Sequence, residues 1–230
     1  RIRKIVGRKK HTGSKKMFGG VCHLLNGNMF CGVRHNDLIL RLGEYVLDEA
    51  CRQSQSWSRQ GFDALPIAVN FSGHQLNHRQ LVKNIEHTLD KYTLAPEQIE
   101  IELTESVALE DTHHTKHILN ELSHRGFKIS IDDFGTGYSS LSYLKQLPID
   151  KLKIDRSFFI NLFEDARSRS LVSALIKLAH NLDLLTVAEG VETEAQLSYL
   201  QKEGCDQYQG FLFSPALPTN ELEMLLSAAE

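Results

Sequence analysis

Long apolar runs are missing from this sequence. None approaches the roughly 20 residues that a membrane-spanning helix needs, and nothing near the start resembles a signal peptide. Cysteine is scarce. The four present (Cys22, Cys31, Cys51 and Cys205) show no CxxC spacing, which excludes a disulfide scaffold and points to free thiols in a reducing, cytoplasmic setting. Excess charge is missing too, and a net charge of −3 offers no basic surface to a nucleic acid polymer. The chain does not begin with Met, so it reads as a fragment with room upstream for an anchor. What remains, 41% hydrophobic and 24% charged residues over 230 positions, suits a globular chain able to bury a sizeable core.

From about residue 38 onward, short β-branched or apolar runs alternate with longer amphipathic ones. "LPIAVN" (65–70), "IEIEL" (99–103), "FKISID" (127–132), "DKLKID" (150–155), "LLTVAE" (184–189) and "CDQYQG" (205–210) read as buried strands. Between them lie helical segments such as "HRQLVKNIEHTLDKY", "THHTKHILNELSHRG" and "RSRSLVSALIKLAHNL"; an earlier one, beginning "LILRLGEYVLDEA", stops at Gly61. One unit, Ser139 to Leu147, lacks a long helix. Such alternation predicts parallel βα units, as a closed barrel or an open sheet.

Every predicted strand ends in a polar group: Asn70, Glu102, the pair Asp132 and Asp133, Lys153, Glu189 and Gln209. In a parallel barrel those ends share one face, where active sites are assembled from several strands. Acids and an amide oxygen are hard ligands, suited to Mg²⁺ or Mn²⁺ rather than zinc. A lysine can orient a water or neutralise an anionic oxygen, and Glu189 could bind a second cation or take a proton from water. This equipment fits metal-assisted hydrolysis of a phosphodiester, and other metal-dependent barrel chemistry stands beside it.

Blander readings apply elsewhere. "FGTGYSS" lacks the Lys-Ser/Thr ending of a nucleotide phosphate loop. His113 and His117 have a zinc-compatible spacing but sit in a polar helix start, which reads as a solvated face. Tyr45 and Trp57 read as packing residues.

Several long motifs, in one order from about Leu38 to the C-terminus, resemble a known family. "IELTES", "IDDFGTGYSSLSYLKQLPIDKLKIDRSFF", "TVAEGVET" and "QGFLFSPAL" are similar to the signatures of EAL domains, bacterial phosphodiesterases that open cyclic di-GMP to linear pGpG. The resemblance implies a TIM-type (β/α) barrel over 38–230, preceded by a poorly matching segment, 1–37. It implies that Asn70, Glu102 and Asp132 ligate one cation, Mg²⁺ or Mn²⁺, and that Asp133 serves a second. Lys153 would hold the nucleophilic water, and Glu189 would act as general base or further ligand. Gln209 and Glu192 would support water or substrate. Glu105 would pin the loop after Phe134, where Gly135 and Gly137 let the backbone turn tightly. A homodimer, with sensory or GGDEF-type domains upstream, completes what the family implies.

One signature is missing. The family's Glu-Ala-Leu motif, whose Glu is a further cation ligand, is not found: "RKKHTGSKKMFGG" follows "RKIVG", and alignment there places Lys9 at the Glu position. A lysine cannot ligate Mg²⁺. Either the site has eroded, leaving a cyclic di-GMP receptor or regulatory module, or residues 8 to about 37 carry a shifted reading frame and little order.

Overall fold

The computed structural model describes residues 12–17, 20–25, 28–33, 37–62, 65–110, 112–137 and 141–227, with side chains from Tyr45 onward except those of Thr112 and Leu141. The position of Lys9 lies outside the described residues, as do all the side chains that the shifted-frame reading concerns. Three strands are described there by backbone alone: β1 (Thr12–Met17), β2 (Gly20–Leu25) and β3 (Asn28–Val33) form an antiparallel sheet in that order.

The remaining strands form one parallel sheet that curls into a half-barrel. They are β4 (Ile67–Asn70), β5 (Ile99–Thr104), β6 (Lys128–Phe134), β7 (Lys151–Ile154), β8 (Leu185–Glu189) and β9 (Gln207–Gln209), paired in sequence order. Helices follow the strands. They are α1 (Asp37–Gln60), α2 (Gly73–Leu76), α3 (Leu81–Tyr92), α4 (Glu105–Leu109), α5 (Thr112–His124), α6 (Leu141–Leu144), α7 (Ala166–His180), α8 (Glu194–Glu203) and α9 (Thr219–Ser227). The short α6 is the unit where the sequence shows no long helix. Strand–helix alternation thus yields the expected α/β barrel architecture, with an aberrant N-terminal strand region. No helix among the described residues is long and apolar enough to cross a membrane.

Alternation along the strands sorts the two faces. Ile99, Ile101 and Leu103 of β5, Ile129 and Ile131 of β6, and Leu152 and Ile154 of β7 are all fully buried in the core cluster. Helix α3 packs there through Leu81, Val82, Ile85 and Leu89, spaced to lie on one face. The opposite parity, Glu100, Glu102, Ser130, Asp132, Lys151 and Lys153, faces the barrel interior. Register keeps these residues level: Asn70 lies beside Glu102, Glu102 beside Ser130, and Glu189 beside Gln209. Charged residues on the inner face are tolerable only if they pair, because an isolated buried charge is costly.

Local signals close the units. Thr193 and Gln196 form a capping box at the start of α8, and Gly204 ends that helix at φ 83°. The short β9 is anchored by Asp206, whose carboxylate accepts from Thr186 N at 2.8 Å, Thr186 Oγ1 at 2.7 Å and His180 Nε2 at 2.9 Å. The C-terminal helix α9 docks on α1, with Trp57 Nε1 donating to Glu223 at 3.0 Å. Trp57 is therefore the packing residue expected, whereas Tyr45 stands 40% exposed. Cys51 and Cys205 are free thiols, and burial pushes Cys51 up to about 11.

Candidate active site

Lys153 is the centre of the inner rim. Its ammonium lies 2.9 Å from Glu102 Oε1, 2.9 Å from Asp132 Oδ1 and 2.8 Å from Glu189 Oε1, so three strands deliver a carboxylate to one cation on a fourth. The lysine is only 6% exposed. Burial opposes its charge, but hydrogen bonds to Glu189, Glu102 and Asp132 outweigh burial and hold the ammonium above the usual lysine range. It is thus a fixed positive charge near neutral pH and no proton acceptor.

The flanking strands extend the cluster. Asn70 Nδ2 donates to Glu102 Oε2 at 2.9 Å, and Gln209 Nε2 donates to Glu189 Oε1 at 2.9 Å. Asp133 follows Asp132 with a left-handed backbone, φ 54°, and its N–H donates to the Asp132 carboxylate at 3.1 Å. Asp132, Asp133 and Glu189 each offer a ligand oxygen, all within 4.8 Å of one another, a separation one divalent ion can bridge. Two of the three bear the mark of crowding. Burial raises Glu189 above the usual carboxylate range, helped by Asp132 and Glu102 and opposed by Lys153. Burial also raises Asp133, with the charges of Asp132 and Asp155 adding to it. A divalent cation would relieve that repulsion, so the donor set fits one.

Glu105, 4% exposed, accepts the Gly135 N–H at 2.8 Å, and a Cβ on Gly137 would stand 2.7 Å from the same carboxylate. Glu105 thus touches the loop after Phe134 at Gly135 and Gly137. Glu192 differs from the others. It is exposed, its backbone N–H donates to Gln196 Oε1 at 2.8 Å, and it lines a neighbouring cavity instead of joining the carboxylates.

That cavity, of about 450 Å³, opens beside Gly190 and Gln209 and is walled by Arg156, Phe211 and the stretch Ser214–Ala216. Sequence reading passed over Arg156 and Phe211, although both follow directly on strand-end motifs. It also passed over a second ion pair one step deeper, where Lys151 Nζ meets Glu100 Oε2 at 2.6 Å. Period two was the available signal, since Glu100 and Lys151 share the inward parity of Glu102 and Lys153. Both lysines reach from β7 to β5 across β6, where the small Ser130 leaves room.

Comparison with known proteins places this architecture. The sequence pattern of the EAL domain matches residues 25–216. The signaling protein YkoW of Bacillus subtilis is 40% identical over 225 residues, covering 96% of this chain and 28% of YkoW. MucR of Pseudomonas aeruginosa, described as a bifunctional diguanylate cyclase/cyclic di-GMP phosphodiesterase, is 48% identical over 185 residues, covering 80% of this chain and 27% of MucR. The chain thus spans little more than a quarter of these relatives. The structure of the MucR phosphodiesterase in complex with c-di-GMP superposes with a TM-score of 0.78 at 47% identity, covering 81% of this chain and 75% of that one. Klebsiella pneumoniae BlrP1, solved with manganese and cyclic di-GMP, gives 0.70 at 29% identity, covering 80% and 46%.

Proposed function

This chain belongs to the EAL-domain family, and on that premise we propose that it hydrolyses cyclic di-GMP to linear pGpG in the cytoplasm, using Mg²⁺ or Mn²⁺. The observation that carries the reading is the convergence of Glu102, Asp132 and Glu189 on Lys153, with Asp133 adjacent. Bound divalent cations would polarise the phosphodiester and acidify water. The Asn70 amide oxygen, Glu102, Asp132, Asp133 and Glu189 would hold them. Lys153 orients the attacking water and offsets charge developing on the phosphoryl oxygens. Glu189, whose carboxyl already sits above its ordinary range, takes the proton, and Gln209 fixes its orientation. Homodimerisation, and sensory or GGDEF-type domains outside this chain, belong to the same proposal.

The missing Glu-Ala-Leu motif favours a second reading, a receptor that binds cyclic di-GMP without cleaving it. Turnover with Mn²⁺, compared with binding in Ca²⁺, separates the two. Formation of pGpG supports the enzyme, and binding without product supports the receptor. Neither binding nor product would sink both.

The cavity is the natural place for a guanine. Phe211, 72% exposed, presents its ring at the wall, and stacking of a base on an aromatic ring is worth about 1–3 kcal/mol. Phe211→Ala is therefore expected to raise KM about tenfold with little change in kcat, because stacking acts equally in ground and transition states. A fall in kcat with unchanged KM would place Phe211 elsewhere in the mechanism.

Proton competition supplies a pH test. The carboxyls of Asp133 and Glu189 are raised, so they begin to protonate above the ordinary carboxylate range of about 4. A protonated carboxyl cannot ligate, and the metal-free protein therefore carries more protons than the loaded one. Affinity for Mn²⁺ should fall as the pH is lowered from neutral toward the carboxylate range, the loss beginning at a higher pH than ordinary carboxylates would give, as read by calorimetric titration. An affinity flat across that range would contradict the assignment of these carboxylates as ligands.

A further inference from the structure

The 3-10 turn Arg156–Phe158 follows directly on β7, the strand that carries Lys153, and Asp155 caps it by accepting from Ser157 N at 3.0 Å. Two of its side chains press on glycines in the two loops that bear the carboxylates. A Cβ on Gly135 would lie 2.6 Å from Phe158 Cζ and 2.7 Å from Cε2, and a Cβ on Gly190 would lie 2.6 Å from Arg156 Cβ. Gly135 stands two residues after Asp133, and Gly190 immediately after Glu189. Only the bare glycine backbone fits against the Phe158 ring, and at φ 94° and φ 67° both positions also adopt a conformation that disfavours side chains. A further link runs from the same segment: Gln196 Nε2 donates to the Phe159 carbonyl at 3.0 Å, while Gln196 Oε1 accepts from Glu192 N and Thr193 N.

Asp133 holds φ 54°, an uncommon conformation for a residue with a side chain, and such strain persists only where the surroundings enforce it. The Glu105 carboxylate enforces it through one hydrogen bond to Gly135. The Phe158 ring supplies the second constraint by filling the space into which the Asp133–Gly135 turn would otherwise relax.

We infer that Phe158 is a positioning residue for the carboxylate site: its ring wedges the turn Asp133–Gly135, and with the Arg156 stem against Gly190 it sets the spacing between Asp132, Asp133 and Glu189. The inference rests on reading those carboxylates as a divalent-cation site. Phe158 touches no reacting atom; it acts through the backbone of its neighbours.

Three variants of the whole chain test it. Phe158→Ala removes the wedge. Phe158→Tyr keeps the packing but adds a hydroxyl on the very atom that abuts Gly135, so it should fold while overfilling the contact. Tyr92→Ala removes an aromatic side chain that packs on the core from α3, and serves as the control for general loosening. The readouts are Mn²⁺ affinity, from the resonance signal of free Mn²⁺, and amide hydrogen exchange at residues 133–136 in the metal-free protein. Both Phe158 variants are expected to weaken Mn²⁺ binding about tenfold, the scale of lost support behind a ligand, and to speed exchange at Gly135 and Thr136. Tyr92→Ala should change neither readout, whatever it costs in melting temperature. Unchanged exchange and affinity in both Phe158 variants, or equal changes in Tyr92→Ala, would overturn the wedge. A wild-type chain that takes up no Mn²⁺ would count against the metal reading instead, and the exchange comparison alone would then judge the wedge.

Discussion

Replacing Lys153 with methionine is expected to lower cyclic di-GMP turnover about a hundred- to a thousandfold, the loss typical of removing one preorganised charge from a transition state. Lys153 is the sole cation among Glu102, Asp132 and Glu189 in the described site, and it lies within 3 Å of each. Methionine fills a similar volume but leaves three carboxylates, that of Glu102 buried and those of Asp132 and Glu189 half-buried, facing one another. Breaking a buried ion pair by deleting one partner costs about 3–5 kcal/mol, so the metal-free variant should melt well below the wild type. Divalent cations can take over part of the missing compensation. The melting temperature of Lys153→Met should therefore rise on adding Mn²⁺ by more than that of the wild type, even though turnover stays low. Differential scanning fluorimetry with and without Mn²⁺ reads this directly. A variant with wild-type turnover, or one whose stability ignores the metal, would remove Lys153 from the centre of the mechanism. The sign of the pH effect follows from the same contacts. The folded state holds the Lys153 ammonium above its ordinary range, so its contribution to stability is complete below about pH 10 and is lost only as the pH climbs through its raised value.

Glu102→Gln should be as damaging to turnover, for a less direct reason. Glu102 accepts on both oxygens, from Lys153 on one and from Asn70 Nδ2 on the other. A glutamine has one accepting end and one donating end. With its oxygen toward Lys153, its NH₂ meets the NH₂ of Asn70, and Asn70 must flip to turn its oxygen away from the metal site. With its oxygen toward Asn70, its NH₂ meets the ammonium. Either way one substitution loses a ligand charge and spoils a second contact, and we expect about a thousandfold drop in turnover. Residues coupled in this way should respond non-additively. Asn70→Ala alone should cost less, and the double variant Asn70→Ala/Glu102→Gln should be hardly worse than Glu102→Gln, as expected for residues that act as a unit. Losses that multiply across the pair, measured as kcat/KM with saturating Mn²⁺, would show the two side chains acting independently.

Much of the site was open to a reader of the sequence because parallel strands present their C-terminal ends on one face. Polar residues closing six short strand-like runs, five of them apolar, could be placed on one rim from the sequence alone. The motifs around Glu102, Asp132, Lys153 and Glu189 carried the family as well, and the match over residues 25–216 agrees with it. Glu192 shows where such reading stops. It lies only three residues beyond Glu189, but the chain turns at Gly190, φ 67°, so one carboxylate points to Lys153 and the other to solvent.

Alternation of residue types was sufficient, by itself, to determine the βα architecture, because that depends on periodicities two to four residues long; the family was legible through the resemblance of several long motifs, and the strand ends offered a candidate set of hard oxygen donors. Only the tertiary structure could decide which acids share the Lys153 ammonium, that Glu100 and Lys151 form a second pair beneath them, and that Phe158 leans on Gly135. Those facts arise from inter-strand register and from contacts between loops far apart along the chain, where an ångström of displacement makes or breaks a contact and no local pattern records the distance.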